Sequence, residues 1–199
     1  MKASGPIVLD ARFVGAADQL ADLPPSVHTE LAFGGRSNVG KSSLMNMLLG
    51  RRKLVRTSST PGATRTINVF EASLDQAAGR RVLGLVDLPG YGFAHRSKSE
   101  RASWGPMIEQ YLAHRPGLRR VVVVCDARRG IGEEDGELLE YLAHLGKPAA
   151  IAMTKVDKLS RAERQRAERT WAGTPDVPLV WASAETGEGR AALWAALLA

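Results

Sequence analysis

The stretch Leu31-Ala32-Phe33-Gly34-Gly35-Arg36-Ser37-Asn38-Val39-Gly40-Lys41-Ser42-Ser43 decides the fold. From Gly35 through Ser42 it matches G-x-x-x-x-G-K-[ST], a loop whose backbone N–H groups turn inward around phosphate oxygens. Gly35 and Gly40 supply the unusual dihedrals such a loop needs, and the positive end of the following helix favours an anion. In this pattern Lys41 places its ammonium on the β- and γ-phosphates, and Ser42 offers its hydroxyl to Mg²⁺. The apolar residues before the loop read as a strand. The amphipathic Leu44-Met45-Asn46-Met47-Leu48-Leu49 after it reads as a helix.

Working outward, short apolar runs alternate with longer helical patterns, the order expected of parallel strands joined by crossover helices. Strands are expected at residues 31–34, 67–72, 82–87, 121–126, 149–153 and 179–182, with helices near 41–49, 98–114, 133–145, 161–171 and 190–198. This predicts an α/β, three-layer P-loop NTPase fold with a mostly parallel central sheet and helices on both faces. Gly, Pro and Ser are spread through the chain and nowhere accumulate into a linker. A single domain over 26–199 is therefore expected, preceded by an extension over 1–25 whose residues 7–14 would add an edge strand.

Composition narrows the classes. The chain of 199 residues is long enough to bury a core without staples, and its one cysteine excludes an intramolecular disulfide. Cys125 follows Val121-Val122-Val123-Val124 and reads as a buried small hydrophobe. No window approaches the ~18 apolar residues of a membrane span, and Asp10 interrupts any signal-peptide core, so a cytoplasmic, reducing compartment is expected. With 27 Lys+Arg against 21 Asp+Glu, the net charge of +6 allows a polyanionic partner.

Further strand ends carry the remaining chemistry. Val82-Leu83-Gly84-Leu85-Val86 runs into Asp87-Leu88-Pro89-Gly90, a D-x-x-G in which Asp87 would hold Mg²⁺ through its water shell and the Gly90 N–H would sense the γ-phosphate. Between the P-loop and this motif lies Ser58-Ser59-Thr60-Pro61-Gly62-Ala63-Thr64-Arg65-Thr66-Ile67-Asn68, a polar loop that would close over a triphosphate. Spacing alone does not choose among Thr60, Thr64 and Thr66 as the hydroxyl on Mg²⁺. The run Ala149-Ala150-Ile151-Ala152-Met153 ends at Thr154-Lys155-Val156-Asp157, where the Asp157 carboxylate would accept hydrogen bonds from guanine N1–H and its exocyclic amine. Thr154 stands where an amide-bearing Asn is usual and loses bidentate capacity. Lys155 would lay its stem along the base or the loop. Finally, Leu179-Val180-Trp181 leads into Ala182-Ser183-Ala184, whose Ala184 N–H would meet guanine O6. Together these elements favour GTP over ATP.

With these motifs in hand, the chain resembles the EngB family (also called YihA or YsxC) of bacterial GTPases, within the translation-factor class. The likeness rests on GGRSNVGKSSLMN, TPGATRTIN, VDLPGYGFA, TKVDK and ASAETGEG and extends over nearly the whole chain. It implies a GTPase acting in late assembly of the large ribosomal subunit and needed for normal septation and division. Nucleotide contacts then fall on Gly35, Arg36, Ser37, Asn38, Val39, Gly40, Lys41 and Ser42; on Gly62, Ala63, Thr64, Arg65 and Thr66; on Asp87, Leu88, Pro89 and Gly90; on Thr154, Lys155, Val156 and Asp157; and on Ala182, Ser183 and Ala184. The resemblance chooses Thr64 to join Ser42 on Mg²⁺, and it makes Lys41, Thr64 and Gly90 the residues expected to carry hydrolysis. The implied partners are GTP and GDP and a large-subunit precursor, both rRNA and ribosomal proteins, with no DNA and a monomeric state off the ribosome. A regulatory GTPase that binds division proteins without touching rRNA is the alternative.

Two side chains bear on the reaction. Tyr91 occupies the position after D-x-x-G where an amide would orient the attacking water, so slow intrinsic hydrolysis is expected. Tyr91 and Phe93 would be either exposed for stacking or packed into the switch. Asn38 would either bind K⁺, as it does in related GTPases, or simply brace the loop. Basic clusters recur at Arg51-Arg52-Lys53-Arg56, His95-Arg96-Lys98-Arg101, His114-Arg115-Arg119-Arg120 and Arg161-Arg164-Arg166-Arg169. The first two flank the switches and are expected to meet rRNA; the last reads as a solvated helix face.

Overall fold

The computed structural model describes residues 5–56, 66–76, 79–91, 105–173 and 177–199. The chain order is β1 (Ile7–Ala17), β2 (Thr29–Gly35), α1 (Lys41–Leu49), β3 (Ile67–Gln76), β4 (Gly79–Asp87), α2 (Gly105–His114), β5 (Leu118–Asp126), α3 (Glu133–His144), β6 (Ala149–Thr154), α4 (Arg161–Trp171), β7 (Leu179–Trp181) and α5 (Arg190–Leu198). The expected residues 98–104 of α2 lie outside the described residues.

The strands form one sheet in the order β1-β3-β4-β2-β5-β6-β7. β4, β2, β5, β6 and β7 run parallel to one another, while β3 pairs antiparallel with both β1 and β4. Residues 7–14 do supply the edge strand, which continues to Ala17. Alternation along the central strands sorts side chains to two faces. Leu31, Phe33, Val122, Val124 and Ala152 pack with α1 and α5, whereas Ala32, Val121, Val123, Cys125, Ile151 and Met153 pack with α2 and α3. The continuous apolar runs of β5 and β6 thus follow from helices covering both faces.

Local sequence sets the helix ends. Gly40 holds the left-handed conformation (φ 101°) that turns β2's loop into α1, and Gly50 (φ 62°) ends that helix with its N–H on Asn46 and Met47 carbonyls. The Ser160 hydroxyl and Glu163 carboxylate form a reciprocal capping box at α4. Trp194 is fully buried, Trp171 and Trp181 are half-buried against the core, and Trp104 lies outside the described residues. Cys125 is buried, and burial raises its thiol far above the ordinary range, as expected of an inert core residue.

Within the third basic cluster His114 and Arg119 are exposed, whereas Arg115 is not. Arg115 is buried and forks onto Glu30, its Nε 2.9 Å from Oε2 and its Nη2 2.7 Å from Oε1. Tyr111 donates to the same carboxylate at 2.9 Å. Arg115 directly follows His114, the last residue of α2, and meets a charged partner inside the protein rather than solvent. No helix among the described residues is long and apolar enough to cross a membrane.

Candidate functional site

The candidate site lies at the carboxyl ends of the parallel strands. β2 ends in the phosphate-loop sequence, β4 in Asp87, β5 in Asp126 and β6 in Thr154, and the turn after β7 begins with Ala182. In open α/β sheets this edge is where ligands bind.

Gly35 approaches its neighbours so closely that an added Cβ would lie 2.5 Å from the Val124 carbonyl oxygen. Asn38 reaches a left-handed φ of 64°, which Asn tolerates better than most residues. Its side chain is exposed and makes no hydrogen bond among the described residues, so the bracing role falls to its backbone. Lys41 and Asp87 are both buried, and the Lys41 ammonium bonds the Asp87 carboxylate directly. This pair stands where a phosphate and a hydrated cation would interpose. Ser42 is half-buried beside it on the first turn of α1. The Asp87 carboxylate at the end of β4 and the Ser42 hydroxyl at the start of α1 are hard oxygen donors that suit Mg²⁺ sharing its shell with phosphate and water. No group of three or more His, Cys, Asp or Glu among the described residues could hold a metal by itself, so any cation here relies on those additional oxygens.

The β6 end is tied to the same loop. The Thr154 hydroxyl lies within hydrogen-bond reach of the Val39 and Cys125 carbonyl oxygens. Lys155, itself left-handed at φ 60°, donates its ammonium to the Asn38 carbonyl and pairs with Asp126 Oδ2 at 3.0 Å. Its stem passes along the loop at Gly40, where a Cβ would lie 3.4 Å from Lys155 Cε. Asp157 accepts from Ser183 Oγ at 2.6 Å, and this bond holds its carboxyl below the usual carboxylate range. Val156 N–H reaches the Ala182 carbonyl at 3.4 Å, joining the two segments. Thr66 is described and half-buried, whereas Gly62, Ala63, Thr64 and Arg65 lie outside the described residues, as do Phe93 and the second basic cluster.

Leu88, Pro89 and Gly90 run beside the P-loop, with Leu88 N–H on the Phe33 carbonyl at 3.0 Å. Tyr91 is buried at 4% exposure and donates to Asp135 Oδ1 at 2.7 Å, so of the two expectations for it, packing holds and stacking does not. Burial, followed by the Asp135 charge, keeps its phenol well above the ordinary value and hence neutral.

Sequence reasoning missed three residues. Asp126 accepts from Arg128 Nη2 at 2.6 Å and pairs with Lys155; burial pushes its carboxyl up, but these bonds prevail and hold it at about 2. Its signal was an acid at the end of an apolar strand, like Asp87. Asp135 looked like an ordinary first-turn acid of a helix. Asn46, inside an apolar run, clamps Val55 by two bonds of 2.7 and 2.9 Å and carried no signal beyond its polarity.

Fold and strand-end motifs together define a GTPase of the P-loop class. Residues 30–155 match a family model described as 50S ribosome-binding GTPase. The chain belongs to the EngB family of GTP-binding proteins. A probable GTP-binding protein EngB of Syntrophus aciditrophicus (strain SB) is 45% identical over 186 residues, 92% of this chain and 91% of that protein. One from Myxococcus xanthus (strain DK1622) is 48% identical over 155 residues, covering 78% and 75%. A crystal structure of a probable GTP-binding protein EngB aligns with a TM-score of 0.60 at 26% identity, covering 85% of this chain and 97% of that one.

Proposed function

We propose that this GTPase is a cytoplasmic switch in late assembly of the large ribosomal subunit, and that it supports septation through that role. The observation that carries the nucleotide assignment is the convergence of Gly35 to Ser42, Asp87, Thr154 to Asp157 and Ala182 to Ser183 at one edge of the sheet. In this reading the loop N–H groups and Lys41 hold the phosphates. The Lys41 to Asp87 bond opens when GTP enters, freeing Lys41 for phosphate oxygens and Asp87 for the hydrated cation.

Ser42, Thr64 and Asp87 would hold Mg²⁺, which when bound neutralises charge on the β- and γ-phosphates. Gly90 N–H senses the γ-phosphate, and Asp157, oriented by Ser183, selects guanine. Adenine presents no matching donor pair, so the two-pronged bond from the base to that carboxylate would be lost. Asn38, an exposed residue of the P-loop, is the candidate K⁺ ligand. Arg52, Lys53 and Arg56 are exposed and have no carboxylate partner among the described residues, which suits an rRNA backbone.

The test is co-sedimentation of the purified chain with large-subunit precursors in a non-hydrolysable GTP analogue, in GDP and in an ATP analogue. Binding only with the GTP analogue, weakening as salt rises, is expected. Equal binding in all three would reject the switch. Recovery of protein partners alone, with no rRNA, would favour the regulatory alternative.

A further inference from the structure

Tyr91 is the first residue after Gly90, and it is held from every side. Its backbone is stitched into the P-loop: Ser37 N–H donates to the Tyr91 carbonyl at 3.1 Å, and Tyr91 N–H reaches the Gly35 carbonyl at 3.4 Å. Its hydroxyl donates to Asp135 on the first turn of α3, and both partners are buried, Asp135 at 1% exposure. The other Asp135 oxygen accepts the Gly132 N–H at 2.9 Å, so the carboxylate is fixed on both sides. The adjacent Glu134 pairs with Arg36 of the P-loop at 3.4 Å. The first turn of α3 therefore grips the phosphate loop through Arg36 and the D-x-x-G segment through Tyr91.

Gly90 packs closely against Ser37 of the P-loop. A Cβ there would lie 2.9 Å from Ser37 Oγ and 3.3 Å from the Ser37 backbone nitrogen. Gly34 likewise faces Leu138 of α3 and the Tyr91 ring, at 3.3 and 4.0 Å from the corresponding built Cβ. Because Tyr91 is joined directly to Gly90, and its backbone is bonded to Ser37 and Gly35, a displacement of the Tyr91 ring bears on the adjoining Gly90 peptide.

We propose that Tyr91, through its hydrogen bond to Asp135, is a positioning residue that fixes the Gly90 N–H for the γ-phosphate and so sets the affinity for GTP relative to GDP. The proposal rests on the assignment of Gly90 as the γ-phosphate sensor. GDP lacks that phosphate and makes no use of the bond, so the two nucleotides respond differently to its loss.

A matched control exists at the opposite end of the sheet. Tyr111 is also a buried tyrosine donating to a buried carboxylate, Glu30 Oε2, at 2.9 Å, and it touches neither the P-loop nor Gly90. Tyr91→Phe and Tyr111→Phe each keep the ring and delete one hydroxyl. Calorimetric titration with GDP and with a non-hydrolysable GTP analogue is the measurement. Tyr91→Phe should weaken the GTP analogue at least about fivefold, the lower end of ordinary couplings, with GDP affinity kept within about twofold. Tyr111→Phe should lower the melting temperature and leave the ratio of the two affinities unchanged. Asp135→Ala, which removes the acceptor, carries the same expectation as Tyr91→Phe and replaces it if that variant does not fold. A Tyr91→Phe ratio equal to wild type, or equal weakening of both nucleotides, overturns the proposal. Failure of the wild-type chain to bind either guanine nucleotide would instead overturn the underlying assignment.

Discussion

Replacing Thr154 with Val tests whether the threonine in the base-recognition motif does the loop-tying work of the missing amide. Valine keeps the branched shape at a position only 3% exposed, so packing is preserved and the hydroxyl alone is lost. That hydroxyl reaches the Val39 and Cys125 carbonyls, both inside the protein. A buried group left without its partner costs about 1–3 kcal/mol. For a domain of this size each kcal/mol moves the melting temperature by roughly 2–4 °C, so a fall of about 2–12 °C is expected without nucleotide. A second effect is specific to the site. If Val39 is no longer tethered to β6, the loop must be ordered by the nucleotide, and part of the binding energy is lost to that ordering. Ligand-dependent stabilisation follows RT ln(1 + [L]/Kd), so a tenfold weaker Kd removes about 1.4 kcal/mol of it at saturating GDP. Differential scanning fluorimetry across a GDP series reads both quantities. An unchanged melting temperature without nucleotide, together with an unchanged GDP-induced shift, would refute the tether.

Gly35→Ala should abolish nucleotide binding and lower stability, because its Cβ would collide at 2.5 Å with the Val124 carbonyl, a backbone atom of the central strand that cannot swing away; binding and circular dichroism on the same sample check it. Asp126 titrates below its unfolded value, near 2 against the ordinary value of about 3.9, so its contribution to stability is present above pH 4 and is lost as pH falls toward 2. Asp126→Asn should therefore flatten the acid side of the stability profile in that window, and an acid limb identical to wild type in urea titrations would contradict the assignment. Asp157→Asn should weaken guanine nucleotides and relax discrimination against xanthine nucleotides, measured by competition binding; unchanged guanine affinity would remove Asp157 from base recognition.

Much of this was legible in the sequence for definite physical reasons. α1, α4 and α5 begin and end where capping residues and periodicity place them: Gly40 and Gly50, the Ser160–Glu163 box, and Gly189 before Arg190. Strand cores were visible as apolar runs, but their ends were not. β4 begins at Gly79 rather than Val82, because Arg80 and Arg81 pair across a ladder with Asp75 and Leu74 on an exposed stretch where no burial pattern marks a strand. The site was legible wherever a motif encodes backbone geometry, as at Gly35 to Ser42. It was not legible where a contact joins distant segments: Tyr91 with Asp135 spans 44 positions and Arg115 with Glu30 spans 85, and no local pattern announces either.

Ion pairs, some local and some long-range, offset part of the basic excess. Arg115 is neutralised by Glu30, Arg164 by Glu168 and Glu188, Arg128 by Asp126 and Arg12 by Glu71. Arg52, Lys53 and Arg56 keep their charge unpaired among the described residues, on a short segment just past α1. That segment is anchored from beneath, since Asn46 clamps Val55 through both of its side-chain polar atoms. α1 itself starts at Lys41, so one helix of 9 residues, about 14 Å at 1.5 Å per residue, carries the phosphate lysine at one end and the basic segment at the other. Arg190 and Trp194 of α5 cap the Met47 and Leu48 carbonyls and hold the far end in place. A phosphate seated on Lys41 and a polyanion seated on Arg52 and Lys53 would therefore pull on a single rigid element. Any small tilt of α1 on nucleotide entry would be felt at the basic segment without passing through the switch loops.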